Sequence, residues 1–285
     1  MKIVVTGAEG QLGSELCRQL GTEAVALDLP EFDLTDRAVV IERLTEIGPR
    51  AVINTAAYTQ VDKAEEQIEL CRAVNTQGVA YLVEACRALD CLLVQISTDY
   101  VFGSDTRRSS PYRETDQPAP QGVYAQTKLE GERRAAEWSK HLVVRTCGLY
   151  GQPAKRASGN FVRTMLRLGA ERTHLRVVDD QHCTPSYVPH VARAVRFLAG
   201  SRASGTYHVV NSGATSWYEM AAEIFRLAEL EVELEPISTA DYAAAAPRPL
   251  YSVLDTSKYH ALPGRPAMPS WKDALAEYVA TCPTR

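Results

Sequence analysis

KIVVTGAEGQLGSEL, residues 2–16, contains a strand, a turn and the start of a helix. Lys2-Ile3-Val4-Val5-Thr6 is a short β-branched apolar run, glycines follow at 7, 10 and 13, and Leu12, Leu16 and Leu20 then recur at helical spacing. The glycines fall as GxxGxxG, one residue longer in the first interval than the usual dinucleotide fingerprint. The physics is shared. Glycine lets a strand turn sharply, lets backbone N–H groups approach a pyrophosphate and lets the helix pack closely on the sheet, while the helix N-terminus favours the anion. A tight turn that binds nothing would carry the same glycines. What favours a cofactor is the position of this turn between the first strand and first helix of an alternating chain.

Working outward, further strands are expected at 24–27, 51–54, 91–97 and 142–146, separated by helical spacing such as Val39, Val40, Leu44, Ile47 and Val79, Leu82, Val83, Cys86. Such alternation predicts an α/β fold: a doubly wound, Rossmann-type parallel sheet with helices on both faces. After about residue 150 the rhythm loosens, glycine, proline and polar residues become frequent, and helices are expected near 161–168, 191–198, 217–227 and 272–279. The division expected is a dinucleotide-binding domain over 1–150 and a smaller, irregular α/β substrate-binding lobe over 151–285, with some segments returning to the first domain.

The totals narrow the partners. The chain has 285 residues, 45% hydrophobic and 23% charged, with a formal net charge of −4 and its basic residues dispersed, so a small molecule is expected rather than nucleic acid or a membrane surface. Seven cysteines form no CxxC pair, which argues against a disulfide framework or zinc site and for a reducing cytoplasm. The apolar run at the N-terminus is too short for a signal peptide or a membrane span.

Three further features carry chemistry. Asp28 closes the second strand, where an acid accepts the adenosine ribose hydroxyls and favours NADH; a plain turn aspartate would look the same, and Arg37 could reach round to tolerate a 2′-phosphate. Asp33-Leu34-Thr35-Asp36 reads as a helix start with Thr35 as its cap. Tyr124 and Lys128 are four apart, hence on one helical face, where an ammonium would lower the phenol's pKa; with thirteen tyrosines in the chain the pair is weak by itself. Finally, ISTDYVFGS at 96–104 ends an apolar strand in Ser97, Thr98 and Asp99. An ST- or Asx-turn would explain them locally. A ligand beyond the carboxyl end of the strand would explain them functionally.

As a set, residues 7–13, Asn54-Thr55-Ala56-Ala57-Tyr58-Thr59 with Val61-Asp62-Lys63-Ala64-Glu65, Ser97-Thr98-Asp99-Tyr100-Val101-Phe102 and VYAQTKLEGE resemble the extended short-chain dehydrogenase/reductases, and within them the dTDP-4-dehydrorhamnose reductase family. GNFVRTMLRL, VVDDQ, GTYHVVNSGATSW and RPLYSVLDTSKY extend the likeness nearly end to end. The resemblance implies NADPH or NADH as cofactor and the 4-keto group of a nucleotide-activated deoxysugar as substrate. It implies a catalytic triad of Thr98, Tyr124 and Lys128. Gly7, Gly10, Gln11, Leu12, Gly13, Asp28, Asp33, Leu34, Ala56, Ala57, Tyr58, Thr59, Tyr124 and Lys128 would bind the cofactor, and Thr98, Asp99 and Arg248 the sugar nucleotide. Related dehydratases carry Asp-Glu after the corresponding threonine. This chain has Asp99-Tyr100, which points to simple ketone reduction.

Two positions depart from the pattern. Gly148 stands where the family carries a tryptophan beside the sugar, which keeps a different 4-keto sugar nucleotide open as substrate. Glu15 and Glu277 match acids by which some members share magnesium between subunits, but Pro189 replaces another carboxylate, so no metal is expected, and the chain is expected as a monomer or homodimer. A non-catalytic alternative is a regulatory subunit resembling the methionine adenosyltransferase β subunit, which has the same fold.

Overall fold

Successive residues of a strand face opposite sides of its sheet, so a strand covered on both sides reads as unbroken apolar sequence. Ile3, Val5, Ile53, Val94 and Val144 feed one core, while Val4, Val52, Leu93 and Val143 feed the other. The computed structural model describes residues 2–156 and 159–282. In chain order its first part holds β1 (Ile3–Thr6), α1 (Gln11–Leu20), β2 (Ala24–Leu27), α2 (Arg37–Ile47), β3 (Ala51–Asn54), α3 (Val61–Ala64), α4 (Ile68–Arg72), α5 (Gly78–Ala88), β4 (Leu92–Thr98), α6 (Gly122–Ala136) and β5 (His141–Thr146).

The second part holds β6 (Leu149–Tyr150), α7 (Phe161–Glu171), β7 (His174–Val178), β8 (His182–Cys183), β9 (Ser186–Tyr187), α8 (Val188–Gly200), β10 (Gly205–His208), β11 (Thr215–Ser216), α9 (Trp217–Leu227), β12 (Glu233–Ile237), α10 (Thr239–Tyr242), α11 (Ser257–His260) and α12 (Trp271–Val279). The main sheet has six strands in the order β2-β1-β3-β4-β5-β10, every neighbouring pair parallel. This is the doubly wound, Rossmann-type fold. Its winding reverses between β1 and β3, the place where connections leave in opposite directions and a crevice opens at the carboxyl ends of the strands.

Helix α8 packs on α1 against one face of this sheet, and α2 and α5 cover the other. A separate core gathers Tyr150, Met165, Tyr187, Met220, Phe225, Trp271 and Tyr278 among α7, α9 and α12, beside the parallel pair β7 and β12. The cap of α2 differs from the sequence reading. Asp36, not Thr35, accepts from the N–H groups of Ala38 and Val39, because the helix begins at Arg37 and only the carboxylate beside it reaches the open N–H groups of the first turn. Thr35 instead donates its hydroxyl to Asp33 Oδ1 at 2.7 Å.

Candidate active site

A polar row lies under the crevice. Thr6 donates to Asn54 Oδ1 at 2.6 Å, Asn54 to Gln95 Oε1 at 2.7 Å, and Gln95 to the Ile96 carbonyl at 2.9 Å, all buried and mutually satisfied across three strands. Above it opens a cavity of about 660 Å³, of the size that takes a cofactor. The glycine turn forms one wall. At Gly13 a Cβ would stand 2.1 Å from the Gly7 carbonyl oxygen, so only glycine permits α1 to start this close to the turn. Gly7 itself has φ +68° and lies against the backbone of Ala56.

Opposite the turn, β4 ends in Thr98 and α6 presents Tyr124 and Lys128. Thr98 and Tyr124 both face this cavity, and the Thr98 hydroxyl donates to Asp99 Oδ1 at 3.1 Å while accepting the Tyr100 N–H at 3.2 Å. Lys128 Nζ donates to the Ile96 carbonyl at 2.7 Å. The electrostatics correct one expectation. Burial pushes the Tyr124 phenol well above its ordinary value, with the nearby Thr98 hydroxyl opposing the shift, and Lys128 is not the group that sets it. Burial also pulls Lys128 down to about 8, against the pull of Glu132. Spacing along a helix fixed which groups share a face; the removal of water from both decides their protonation.

The Lys128 shift has a measurable sign. Below about 8 the folded and unfolded chains both hold this proton, and the folded state bears the full cost of the buried charge. As pH rises from about 8 towards the ordinary value of 10.5, the unfolded chain keeps more protons than the folded one, and this group's contribution to stability grows. Lys128→Met should therefore gain in Tm relative to the wild type most at neutral pH, with the gap closing towards pH 10. Thermal melts across that range check it, and a constant gap would refute it.

Every residue expected at the cofactor lines this cavity: Gly7, Gly10, Gln11, Leu12, Gly13, Asp28, Asp33, Leu34, Ala56, Ala57, Tyr58, Thr59, Tyr124 and Lys128, with Thr98 beside them. Tyr58 is held by its backbone, its N–H donating to Asn75 Oδ1 at 2.9 Å and its carbonyl accepting from Asn75 Nδ2 at 3.2 Å. Asn75 lies in a π-helical turn, Ala73–Gln77, joining α4 to α5. Asp99 and Arg248 do not line the cavity. Asp99 is buried behind Thr98, where burial raises its pKa and Ser252 donates to it at 2.5 Å. Arg248 forms a two-pronged pair with Asp62 at 2.9 and 2.7 Å, and that guanidinium holds the Asp62 carboxyl down at about 2.

The cavity also contains residues that sequence spacing did not single out. Ser97 and Thr146, on neighbouring strands β4 and β5, line it with buried hydroxyl oxygens that have no hydrogen-bond partner among the described residues. Buried polar atoms without partners are costly, and a polar ligand would satisfy them; with the glycine turn and Lys128 they fit a nicotinamide dinucleotide. Arg156 lines the cavity too, from an irregular loop whose sequence gives no sign of contact with the turn 147 residues earlier. At Gly148, in the same wall, a Cβ would stand 3.1 Å from Trp217 Cη2, so the indole of α9 takes the space beside it. Among the described residues no group of three or more His, Cys, Asp or Glu side chains is arranged to hold a metal ion, and no helix is long and apolar enough to cross a membrane.

Residues 1–283 match the family described as RmlD substrate binding domain. The chain belongs to this family, that of the dTDP-4-dehydrorhamnose reductases. It is 40% identical over 292 residues to the dTDP-4-dehydrorhamnose reductase of Streptomyces griseus, covering 98% of this chain and 93% of the relative. It is also 38% identical to the spore coat polysaccharide biosynthesis protein SpsK of Bacillus subtilis, covering 98% and 96%. A crystal structure of dTDP-4-dehydrorhamnose reductase from Bacillus anthracis in complex with NADP superposes with a TM-score of 0.93 at 38% identity, over 99% of this chain and 100% of that one. The fold is also similar to that of a UDP-glucose 4-epimerase of Thermus thermophilus, at a TM-score of 0.80 and 21% identity.

Proposed function

We propose that this protein reduces the 4-keto group of a nucleotide-activated deoxysugar with NADPH or NADH, converting dTDP-4-dehydro-L-rhamnose to dTDP-L-rhamnose. The observation that carries the reading is that Thr98, Tyr124 and Lys128 line the same cavity as the glycine turn. Bound there, the cofactor supplies the hydride that reduces the carbonyl carbon. Thr98 orients the carbonyl oxygen and Tyr124 donates a proton to it as negative charge develops. Raised by burial, the phenol holds its proton throughout the neutral range and so stands there as an acid rather than a base. Lys128, on the same helical face, steadies the ribose and the phenol. Tyr100, following Asp99, offers no second carboxylate for the proton transfers of a dehydration.

In this reading the part before about residue 150 holds the cofactor and the later part mainly shapes the sugar pocket, with α8 and β10 returning to the main sheet. All seven cysteines are free thiols, in keeping with work in the reducing cytoplasm. One observation favours a second reading, a different 4-keto sugar nucleotide: Gly148 leaves the wall without a side chain at that point and Trp217 stands beside it instead. The test follows absorbance at the dihydronicotinamide band with enzymatically prepared dTDP-4-dehydro-L-rhamnose and each cofactor, with the product identified by mass spectrometry. Consumption of NAD(P)H with a gain of two hydrogens in the sugar is expected. Turnover only with another 4-keto sugar nucleotide would favour the second reading, and none with either would refute both.

A further inference from the structure

We infer that Arg156 is the residue that decides whether the 2′-phosphate of NADPH is admitted, acting by clasping the two acids at the adenosine end of the cavity. This rests on the cofactor site proposed above and goes beyond it to the choice between two cofactors. An acid closing β2 ordinarily accepts from the ribose hydroxyls and repels a 2′-phosphate. Asp28 holds that position, yet both of its oxygens are engaged. Oδ2 accepts the Glu9 N–H at 2.7 Å, Oδ1 accepts the Leu29 N–H at 2.8 Å, and the Arg156 guanidinium lies 3.5 Å from Oδ1.

Arg156 is fixed from several sides. Its Nε donates to Glu9 Oε2 at 3.0 Å, its Nη2 to the Leu29 carbonyl at 3.0 Å, and its backbone N–H to the Glu9 carbonyl at 3.0 Å. Its Nη1 has no partner among the described residues, and the side chain is 43% exposed in the cavity wall that Asp28 and Leu29 also form. Lys155 pairs with the other oxygen of Glu9. Two cations thus oppose two carboxylates where the bare turn would present only negative charge.

A planar guanidinium can leave one carboxylate and take a phosphate in the same forked geometry, which suits it to this exchange better than an ammonium. Arg37, the basic residue that sequence offers for the task, is committed to Glu84 through two hydrogen bonds and does not line the cavity. The 2′-phosphate would then enter beside Asp28 with its charge met by Arg156, while the ribose of NADH needs no such partner.

The test is direct binding, independent of any sugar substrate. Calorimetric titration of ADP-ribose and 2′-phospho-ADP-ribose, and of NADH and NADPH, is compared for the wild type, Arg156→Ala and Arg156→Lys. Charge-assisted hydrogen bonds of this kind carry roughly a tenfold or greater change in Kd. Arg156→Ala is expected to weaken both 2′-phosphorylated ligands by about that factor while leaving ADP-ribose and NADH within about twofold, and Arg156→Lys to fall between. Equal losses for all four ligands would make Arg156 a brace for the turn and overturn the inference, as would no loss for any. A wild type that binds none of the four would instead remove the cofactor site itself, and the inference with it.

Discussion

Tyr124→Phe should lower turnover by roughly 10²-fold or more, the range set by loss of a positioned general acid, with NADPH affinity little changed. The variant removes one oxygen. The ring keeps its edge-on contact with Tyr100, at 5.9 Å between centroids, so the cavity wall retains its shape. Lys128 and the glycine turn, the groups expected to hold the cofactor, are untouched. What disappears is the proton available where Thr98 would hold the carbonyl oxygen. Steady-state turnover measured beside a fluorescence titration of NADPH separates the two effects. Unchanged turnover would reject Tyr124 as the acid, and parallel loss of binding would mean that its hydroxyl serves cofactor binding rather than the chemistry.

The largest expected stability loss lies about two turns further along α6. Glu132 and Arg145 are both buried and joined by two hydrogen bonds, Nε to Oε1 at 2.8 Å and Nη2 to Oε2 at 2.7 Å. The guanidinium also stacks over Phe102, 5.1 Å from its centroid. Its other polar neighbour, His208, offers no negative charge, and burial together with Arg145 pushes that imidazole down to about 3. Glu132→Ala therefore strands a buried cation, at a cost of about 3–5 kcal/mol. Denaturant unfolding would read this as a lower midpoint with an unchanged slope. Replacing both residues by methionine should recover much of the loss, because two apolar side chains leave no charge unpaired. A single-variant cost below about 1 kcal/mol would refute the pairing as a structural determinant. Because Glu132 raises Lys128, its loss also drives that ammonium lower.

Much of the fold was legible for a simple reason. A strand covered on both faces has to be apolar at every residue, so Ile3-Val4-Val5 and Ala51-Val52-Ile53 stand out, and glycines after the first strand announce the turn. The final strand of the sheet escaped such reading because GTYH, at the sheet's edge, is short and polar. In the site, residues on one turn or one helix face were legible, including the glycines, Tyr124 and Lys128. Long-range pairings were not. Arg248 turns to Asp62 and Arg156 to Glu9, and neither choice is written in local spacing. Protonation was illegible too, since the rise at Tyr124 comes from exclusion of water by the assembled walls.

The sheet is completed by β10, and one of its faces is covered by α8, both contributed by the later half of the polypeptide. A chain cut near residue 150 would leave β5 with an unpaired rim and strip the cover that α8 gives to Ile3, Val5 and Val144. The earlier part is therefore not self-sufficient, because its sheet and one of its cores are finished only by the later part.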